Sequence, residues 1–154
     1  KLTKLTHLDL GLYGNKLTEL PKGLEKLTQL KGLNLSENKL TELPKGLEKL
    51  TQLEELNLSL TQLTSVKGLE KLTNLKMLYL NNNQLTDVKG LENLTKLTKL
   101  SLRRNQLTSV KGLEKLNQLK ELNLLANNRN LTKAQIDELK KALPKCEIQS
   151  NPTK

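Results

Sequence analysis

The sequence repeats itself with a period of 22 or 23 residues. LKGLNLSENKLTELPKGLEKLTQ, LEELNLSLTQLTSVKGLEKLTN and LKMLYLNNNQLTDVKGLENLTK are three consecutive versions of one unit. A unit of this length cannot bury its apolar face alone, so it needs a neighbour of the same kind on each side. The repeat therefore predicts a stacked solenoid with one continuous core.

Six units align on the first Leu of an LxxLxL run. They open at Leu5, Leu30, Leu53, Leu75, Leu97 and Leu119. The letters KLTK before Leu5 match the end of a unit, KLTQ at 26–29, so we expect the chain to begin in mid-repeat and to be a fragment of something longer. We find no signal peptide and no membrane-spanning apolar stretch. The sequence leaves the cellular compartment open.

Leu fills nearly every position of the predicted core, because the chain has no Phe and no Trp. A solenoid tolerates this composition, since the same few inward positions recur in every unit. The single cysteine, Cys146, excludes an internal disulfide framework. We expect Cys146 to be a small buried residue near the C-terminus, because no His lies near it in sequence to activate the thiol.

Short strands are predicted where Leu alternates with other residues. Leu33 and Leu35 alternate with Gly32 and Asn34, a period of two that is typical of a strand with one buried face. Stacked strands of this kind run parallel, so each must be followed by a crossover. The crossover PKGLEKL contains Pro and Gly, which predicts a turn and a short helical or 3-10 segment.

The motif LxxLxLxxNxL, present as LKGLNLSENKL from Leu30 and as LTKLSLRRNQL from Leu97, resembles the leucine-rich repeat signature over roughly residues 1–131. The first two units carry LPKGL, which is similar to the bacterial and typical classes. Units three to five carry VKGL and are more similar to the internalins and to the protein-phosphatase regulatory subunit. The resemblance implies an α/β fold, a right-handed arc with a concave parallel sheet that binds protein and short helical turns on the convex side.

The resemblance also implies a ladder of Asn side chains that bond the backbone between units. The ladder positions are Asn15, Asn38, Asn83, Asn105 and Asn127. Unit three has Thr61 there instead. A hydroxyl reaches less far than an amide and bonds fewer groups, so we predict a weak point at Thr61.

The C-terminal region follows a different pattern. Thr132 and Gln135 fit a capping box, and apolar residues then follow at helical spacing until Pro144. This predicts a helical cap over 132–143, with Ile148 in a last short strand. We therefore expect one domain over 1–148 and a flexible tail over 149–154. Units one and six are each two residues longer after Leu10 and Leu124, and Leu12 and Tyr13 are expected to protrude.

No equivalent cap is visible before the first unit. Leu2, Leu5 and Leu8 would face an open end of the core beside an unpaired strand edge. Three interpretations stay open: preceding repeats or a cap cover this end, the exposure is tolerated, or two copies of the chain associate there.

The net charge of +10 is largely part of the repeat. Two rows of Lys recur in register with a row of Glu between them: Lys22, Lys45, Lys67, Lys89 and Lys111; Lys26, Lys49, Lys71 and Lys115; and Glu25, Glu48, Glu70, Glu92 and Glu114. Alternating signs offset repulsion and keep this surface solvated. Without a concentrated basic face, and with only two Tyr, the composition disfavours a nucleic-acid or anionic-surface binder.

Recognition is expected on the concave face, where the repeat varies. Aromatic, Met and Arg side chains are enriched in interface cores and binding hot spots. We therefore select Met77, Tyr79, Lys99 and Arg103 as a candidate patch, with Glu55 beside it. Much of this face carries small polar residues, so the alternative that it is merely solvated also stays open.

No catalytic constellation is present in the sequence. There is no metal-ligand spacing and no Gly-rich phosphate loop, and His7 near Asp9 lacks a nucleophile, so we expect His7 on the surface. We predict no enzyme activity, cofactor, metal or small-molecule substrate. Two functions remain: a module that binds an unidentified protein or peptide, and a consensus-like or recently duplicated scaffold, natural or designed, without a dedicated ligand.

Overall fold

Seven parallel strands form a single sheet in the order of the sequence. A computed structural model describes residues 3–11, 15–127 and 130–152. The strands are three residues each: β1 (His7–Asp9), β2 (Gly32–Asn34), β3 (Glu55–Asn57), β4 (Met77–Tyr79), β5 (Lys99–Ser101), β6 (Glu121–Asn123) and β7 (Glu147–Gln149). The predicted α/β leucine-rich solenoid is confirmed. No helix within the described ranges is both long and apolar enough to cross a membrane.

Neighbouring strands pair with equivalent residues opposite each other. Leu33 pairs with Leu56, and Leu56 pairs with Leu78, although the unit that begins at Leu30 is one residue longer than the next. The central residue of each strand points into the core, so the residues on either side of it point outward. The register thus repeats the same inside and outside positions across the sheet.

Short 3-10 turns connect the strands on the opposite side. They span Leu24–Lys26, Leu47–Lys49, Leu69–Lys71, Leu91–Asn93 and Leu113–Lys115. The glycine before each turn has a positive φ, for example 106° at Gly68, which side-chain-bearing residues rarely adopt. This explains why KGLE recurs, and it confirms the predicted short helical crossovers.

The Glu row closes these turns. In each of the five turns the backbone N–H of the glycine donates to the carboxylate two residues later, for example at 2.9 Å for Gly46 and Glu48 and 2.6 Å for Gly68 and Glu70. The repeat pattern alone indicates only charge balance for this row. None of the ion pairs among the described residues joins it to the two Lys rows, so its direct bonds are to the turns.

The core is a column of Leu with a few Val. Leu30, Leu53, Leu75 and Leu97 are fully buried, and equivalent positions repeat this from unit to unit. In the first unit the corresponding Leu5 and Leu8 are only half-buried. The core is therefore tightest in the middle and opens toward β1.

Four of the ladder residues are buried and bond across units. Asn38 donates to the carbonyls of Leu10 and Leu35, at 3.0 Å each, and accepts from the N–H of Leu17 at 2.9 Å. The residues Asn83, Asn105 and Asn127 repeat this pattern toward their preceding units. Asn15 is exposed and donates to Leu10 within its own unit.

Thr61 leaves a gap in the ladder. Its hydroxyl donates to Leu58 within the unit at 2.7 Å and contacts Asn83 of the next unit at 3.0 Å, but it forms no bond to unit two. Among the described residues, each other unit has one positive-φ residue other than Gly beside the ladder position, whereas unit three has two, Leu60 (58°) and Gln62 (71°). The junctions between units one and two, three and four, and four and five are also closed by a backbone bond, for example from Lys39 N–H to the Leu17 carbonyl.

We call the boundary between units two and three the seam. Among the described residues, the N–H of Leu40 donates no hydrogen bond. Its repeat equivalents Leu17, Leu63 and Leu85 each donate to the side-chain oxygen of a ladder Asn. The bond expected between Gln62 N–H and the Leu40 carbonyl is also missing from the described part of the chain. The seam keeps its strand pairing and a contact between Thr64 and Thr41.

The C-terminal cap is helix α1 (Lys133–Ala142) followed by β7. Thr132 and Gln135 form the capping box, and Ile136, Leu139 and Leu143 are buried. Strand β7 ends at Gln149, one residue beyond the expected domain boundary. The Gln149 carbonyl accepts a hydrogen bond from the N–H of Leu124 at 2.7 Å, which holds this residue in the sheet. The expected loop at Leu12 and Tyr13 lies outside the described residues.

Candidate protein-binding face

The outward side chains of the strands form two rows across the sheet, which together we call the strand face. The first row is His7, Gly32, Glu55, Met77, Lys99, Glu121 and Glu147, and the second is Asp9, Asn34, Asn57, Tyr79, Ser101, Asn123 and Gln149. Adjacent strands lie about 4.8 Å apart. Residues 22 or more positions apart in sequence thus become direct neighbours.

The structure places the five candidate residues on three neighbouring strands or just after them. Glu55, Met77 and Lys99 are consecutive in the first row, and Tyr79 lies beside Met77 in the second. Arg103 follows β5 by two residues and is exposed at the end of that strand. The candidate patch is therefore spatially continuous.

Met77 and Tyr79 form an apolar contact surface at the centre of this patch. Both side chains are half-buried, and the Tyr79 hydroxyl lies 3.8 Å from Met77 Sδ. Within the described ranges Tyr79 is the only Tyr, and the chain has no Phe or Trp. A half-buried Tyr offers a large contact area at small entropic cost, which is why such residues serve as interface anchors.

Lys99 forms an ion pair with Glu121, a residue of the next unit. Its Nζ lies 2.9 Å from Glu121 Oε2, and this hydrogen bond and charge raise the pKa of Lys99, with a smaller contribution from Tyr79. Lys99 and Glu121 are one unit apart in register. The repeat spacing contains the signal for this pair, because it places opposite charges at equivalent positions of adjacent units.

A polar network fixes the floor beside Tyr79. Ser101 Oγ donates to Asn81 Oδ1 at 2.6 Å, and the Arg103 N–H donates to the same oxygen at 3.0 Å. Ser101 is buried although it belongs to an outward row. The backbone that carries Lys99 and Arg103 is thus held in place before any partner arrives.

Two shallow clefts lie along the face. One, of about 260 Å³, is lined by residues that include Tyr79, Lys99, Ser101, Glu121 and Glu147. The other, of about 390 Å³, lies toward β1, where the exposed His7 ring packs over Gly32. An added Cβ on Gly32 would lie 2.5 Å from His7 Cδ2, so the glycine makes room for this ring.

Two features bear on whether the described residues could carry out chemistry: metal ligands and the single thiol. Among the described residues, no three His, Cys, Asp or Glu side chains gather where they could hold a metal ion. Cys146 is half-buried, less than expected, and burial raises the pKa of its thiol, with further contributions from Glu147 and Glu121. A raised pKa disfavours the thiolate that a nucleophile requires.

One exposed residue was not predicted. Leu60 is 49% exposed at the end of the strand face, at a position with φ of 58°. Bulky residues are uncommon in this left-handed conformation, which favours Gly or Asn. In the repeat Leu60 is equivalent to Glu37 and Asn82, which also have a positive φ, so its position in the repeat was the available signal of its conformation.

Comparisons with known proteins agree with this architecture. Residues 1–152 match the family described as leucine-rich repeat region. Internalin C2 from Listeria monocytogenes is 29% identical, with a TM-score of 0.80 over 97% of this chain and 64% of that one. A leucine-rich repeat protein from Leptospira interrogans is 31% identical, with a TM-score of 0.52 over 96% of this chain and 49% of that one.

A second internalin from Listeria monocytogenes, at 24% identity, shares the fold with a TM-score of 0.62 over 99% of this chain and 57% of that one. The chain thus spans less than two thirds of the length of each of these structures. Among proteins with curated functions, none matches the sequence significantly.

Proposed function

The chain belongs to the leucine-rich repeat family, with repeats of the bacterial type, and on this premise we propose that it is a non-enzymatic module that binds a protein or peptide on its strand face. The observation that carries the proposal is the contrast between the two sides of each strand. The central, inward residue is Leu in every strand except β7, where it is Ile. The first-row residue, by contrast, is His, Gly, Glu, Met or Lys. Variation is thus concentrated on one accessible surface.

The alternative, a scaffold without a ligand, draws on the repeated Asn of the second row. These side chains have a local structural role, because Asn34, Asn57 and Asn123 each accept a hydrogen bond from the N–H two residues later, at 3.0 Å. Such bonds stabilise the strand end whether or not a partner exists. The repeated Asn therefore does not count against recognition by Met77 and Tyr79.

Random peptides displayed on phage provide the test. We expect the intact chain to select peptides whose binding is lost, at least about tenfold, in a variant with Met77→Ala and Tyr79→Ala, because this removes the apolar contact surface at the centre of the patch. A control variant with Lys71→Ala and Lys115→Ala, on the opposite surface, should bind like the wild type. Equal binding by all three proteins would reject the strand face as the site.

A further inference from the structure

We infer that the segment bound on the strand face is cationic, with an apolar side chain that contacts Met77 and Tyr79 and an Arg or Lys that reaches Glu121 and Glu147. This inference rests on the proposed function and specifies the chemistry of the partner. It follows from the distribution of charge, which differs between this face and the rest of the molecule.

The strand face is acidic on a basic chain. The outward strand positions carry four carboxylates, Asp9, Glu55, Glu121 and Glu147, against Lys99. Arg103, which follows β5 and belongs to the candidate patch, adds a second positive charge, so the net charge is −2. The whole chain has a net charge of +10. Most of the positive charge therefore lies outside the two outward rows.

Two Lys residues at the margin of this face already lie close to a carboxylate. Lys76 Nζ lies 2.7 Å from Glu54 Oε2, and Lys31 Nζ lies 3.9 Å from Glu54 Oε1. A basic segment is repelled by the Lys rows of the convex side and attracted to the strand face. Charge complementarity of this kind guides association and suppresses wrong orientations.

Two carboxylates lie side by side at the C-terminal end of the face. Glu121 and Glu147 occupy equivalent positions on the paired strands β6 and β7, and both are exposed. Like charges on directly adjacent positions are unfavourable. Lys99 compensates Glu121 at 2.9 Å, while the only described partner of the Glu147 carboxylate is the amide of Gln149 at 3.2 Å. A guanidinium group can bridge two carboxylates and relieve this repulsion.

The spacing fits an extended segment that crosses the strands. Tyr79 on β4 lies two strands from Glu121 and three from Glu147, which is about 10 to 14 Å. An extended peptide advances about 3.3 Å per residue, so the basic residue lies about three to four positions from the apolar one. The cleft of about 260 Å³ between Tyr79 and Glu147 lies along this path.

The test uses peptides selected by phage display on the intact chain, restricted to those whose binding depends on Tyr79. We expect them to contain Arg or Lys about three to four positions from an apolar residue and to bind more weakly as salt rises. Affinity should fall about tenfold in the variant with Glu121→Gln and Glu147→Gln. The single variant Glu147→Gln leaves the pair between Lys99 and Glu121 intact and should also weaken binding.

The control is a variant with Glu42→Gln and Glu138→Gln, two exposed carboxylates away from the strand face, which should bind as the wild type does. Neutral or acidic peptides that depend on Tyr79, or affinities unchanged by the Gln substitutions, would overturn the cationic partner and leave the proposed function standing. The absence of any Tyr79-dependent peptide would instead overturn the proposed function itself.

Discussion

At the scale of single residues, the KGLE turn shows how one carboxylate supports the backbone. Glu92 accepts hydrogen bonds from its own N–H and from that of Gly90, the latter at 2.6 Å, and these bonds lower the pKa of Glu92. A lowered pKa in the folded state means that the charged carboxylate stabilises the fold above its ordinary pKa. This stabilisation is lost as the pH falls through the folded-state pKa.

We therefore predict an acid-dependent loss of stability that Glu92→Gln reduces. For the wild type, the free energy of unfolding in urea should decrease between about pH 5 and about pH 3. The Gln side chain can still accept the bond from Gly90 but does not titrate, so its decrease should be smaller. Glu42→Gln, an exposed residue without a hydrogen bond among the described residues, is the control. Parallel pH curves for Glu92→Gln and wild type would show that the turn carboxylate is not involved.

At the scale of elements, the strands and turns follow from the sequence because each has a strong local cause. The alternation around Leu33 predicts β2, and the Pro and Gly after Leu43 predict a short turn in place of a long helix. The pair between Lys99 and Glu121 and the positive φ of Gln62 were missed. The ion pair joins two units, so reading along one unit does not reveal it, and the φ of Gln62 departs from that of its repeat equivalents Lys39 and Gln84.

The same distinction applies to the candidate site. Met77 and Tyr79 could be selected from residue type and strand position alone. Glu121 could likewise be assigned to this face from its place in the repeat. Glu147 became apparent only when β7 was placed next to β6, because the strand that carries it follows a helix and lies outside the regular repeat.

The cap is the element with the most separable contribution. Thr132 Oγ1 accepts from the Gln135 N–H at 3.2 Å, while Gln135 Nε2 donates to the carbonyl of Thr108 in unit five at 3.1 Å. The box therefore starts helix α1 and also connects it to the solenoid. Loss of the capping box should therefore weaken both the start of the helix and its attachment to the solenoid.

We predict that Thr132→Ala lowers the free energy of unfolding by about 1 kcal/mol, the usual cost of losing an N-cap side chain. Urea denaturation monitored by circular dichroism measures the change. Thr73→Ala, at an exposed position with no side-chain hydrogen bond in the described structure, should leave stability within about 0.5 kcal/mol. Equal stability of Thr132→Ala and wild type would show that the box is dispensable.

At the scale of the whole molecule, the seam divides the solenoid into two segments with different repeat types. The 23-residue unit that begins at Leu30 precedes it, and the 22-residue units that begin at Leu53 and Leu75 follow it. In a repeat protein, stability is roughly the sum of the units and of the interfaces between neighbours. An interface with fewer bonds is thus a place where partial unfolding can begin.

We predict that Thr61→Asn strengthens the seam, because the amide can accept from Leu40 N–H and donate to the Leu35 carbonyl, as Asn38 does one unit earlier. Each bond contributes about 1 kcal/mol, the usual net value, so the two bonds together correspond to a rise of about 4–8 °C in Tm. Differential scanning calorimetry measures the Tm, and amide exchange at Leu40 should slow. Thr95→Asn, an exposed substitution, serves as the control. An unchanged or lower Tm would refute the weak point.

Because Leu33, Leu56 and Leu78 stay opposite one another although their units differ in length, the additional residue is taken up entirely on the return path. Small insertions and deletions in the gene can therefore alter the outer loops while every recognition position keeps its neighbours. Duplication of a whole unit adds one strand, which lengthens both outward rows by one residue and leaves the pairing of the strands on either side of the duplicated units unchanged. Length and specificity can thus evolve independently in this chain.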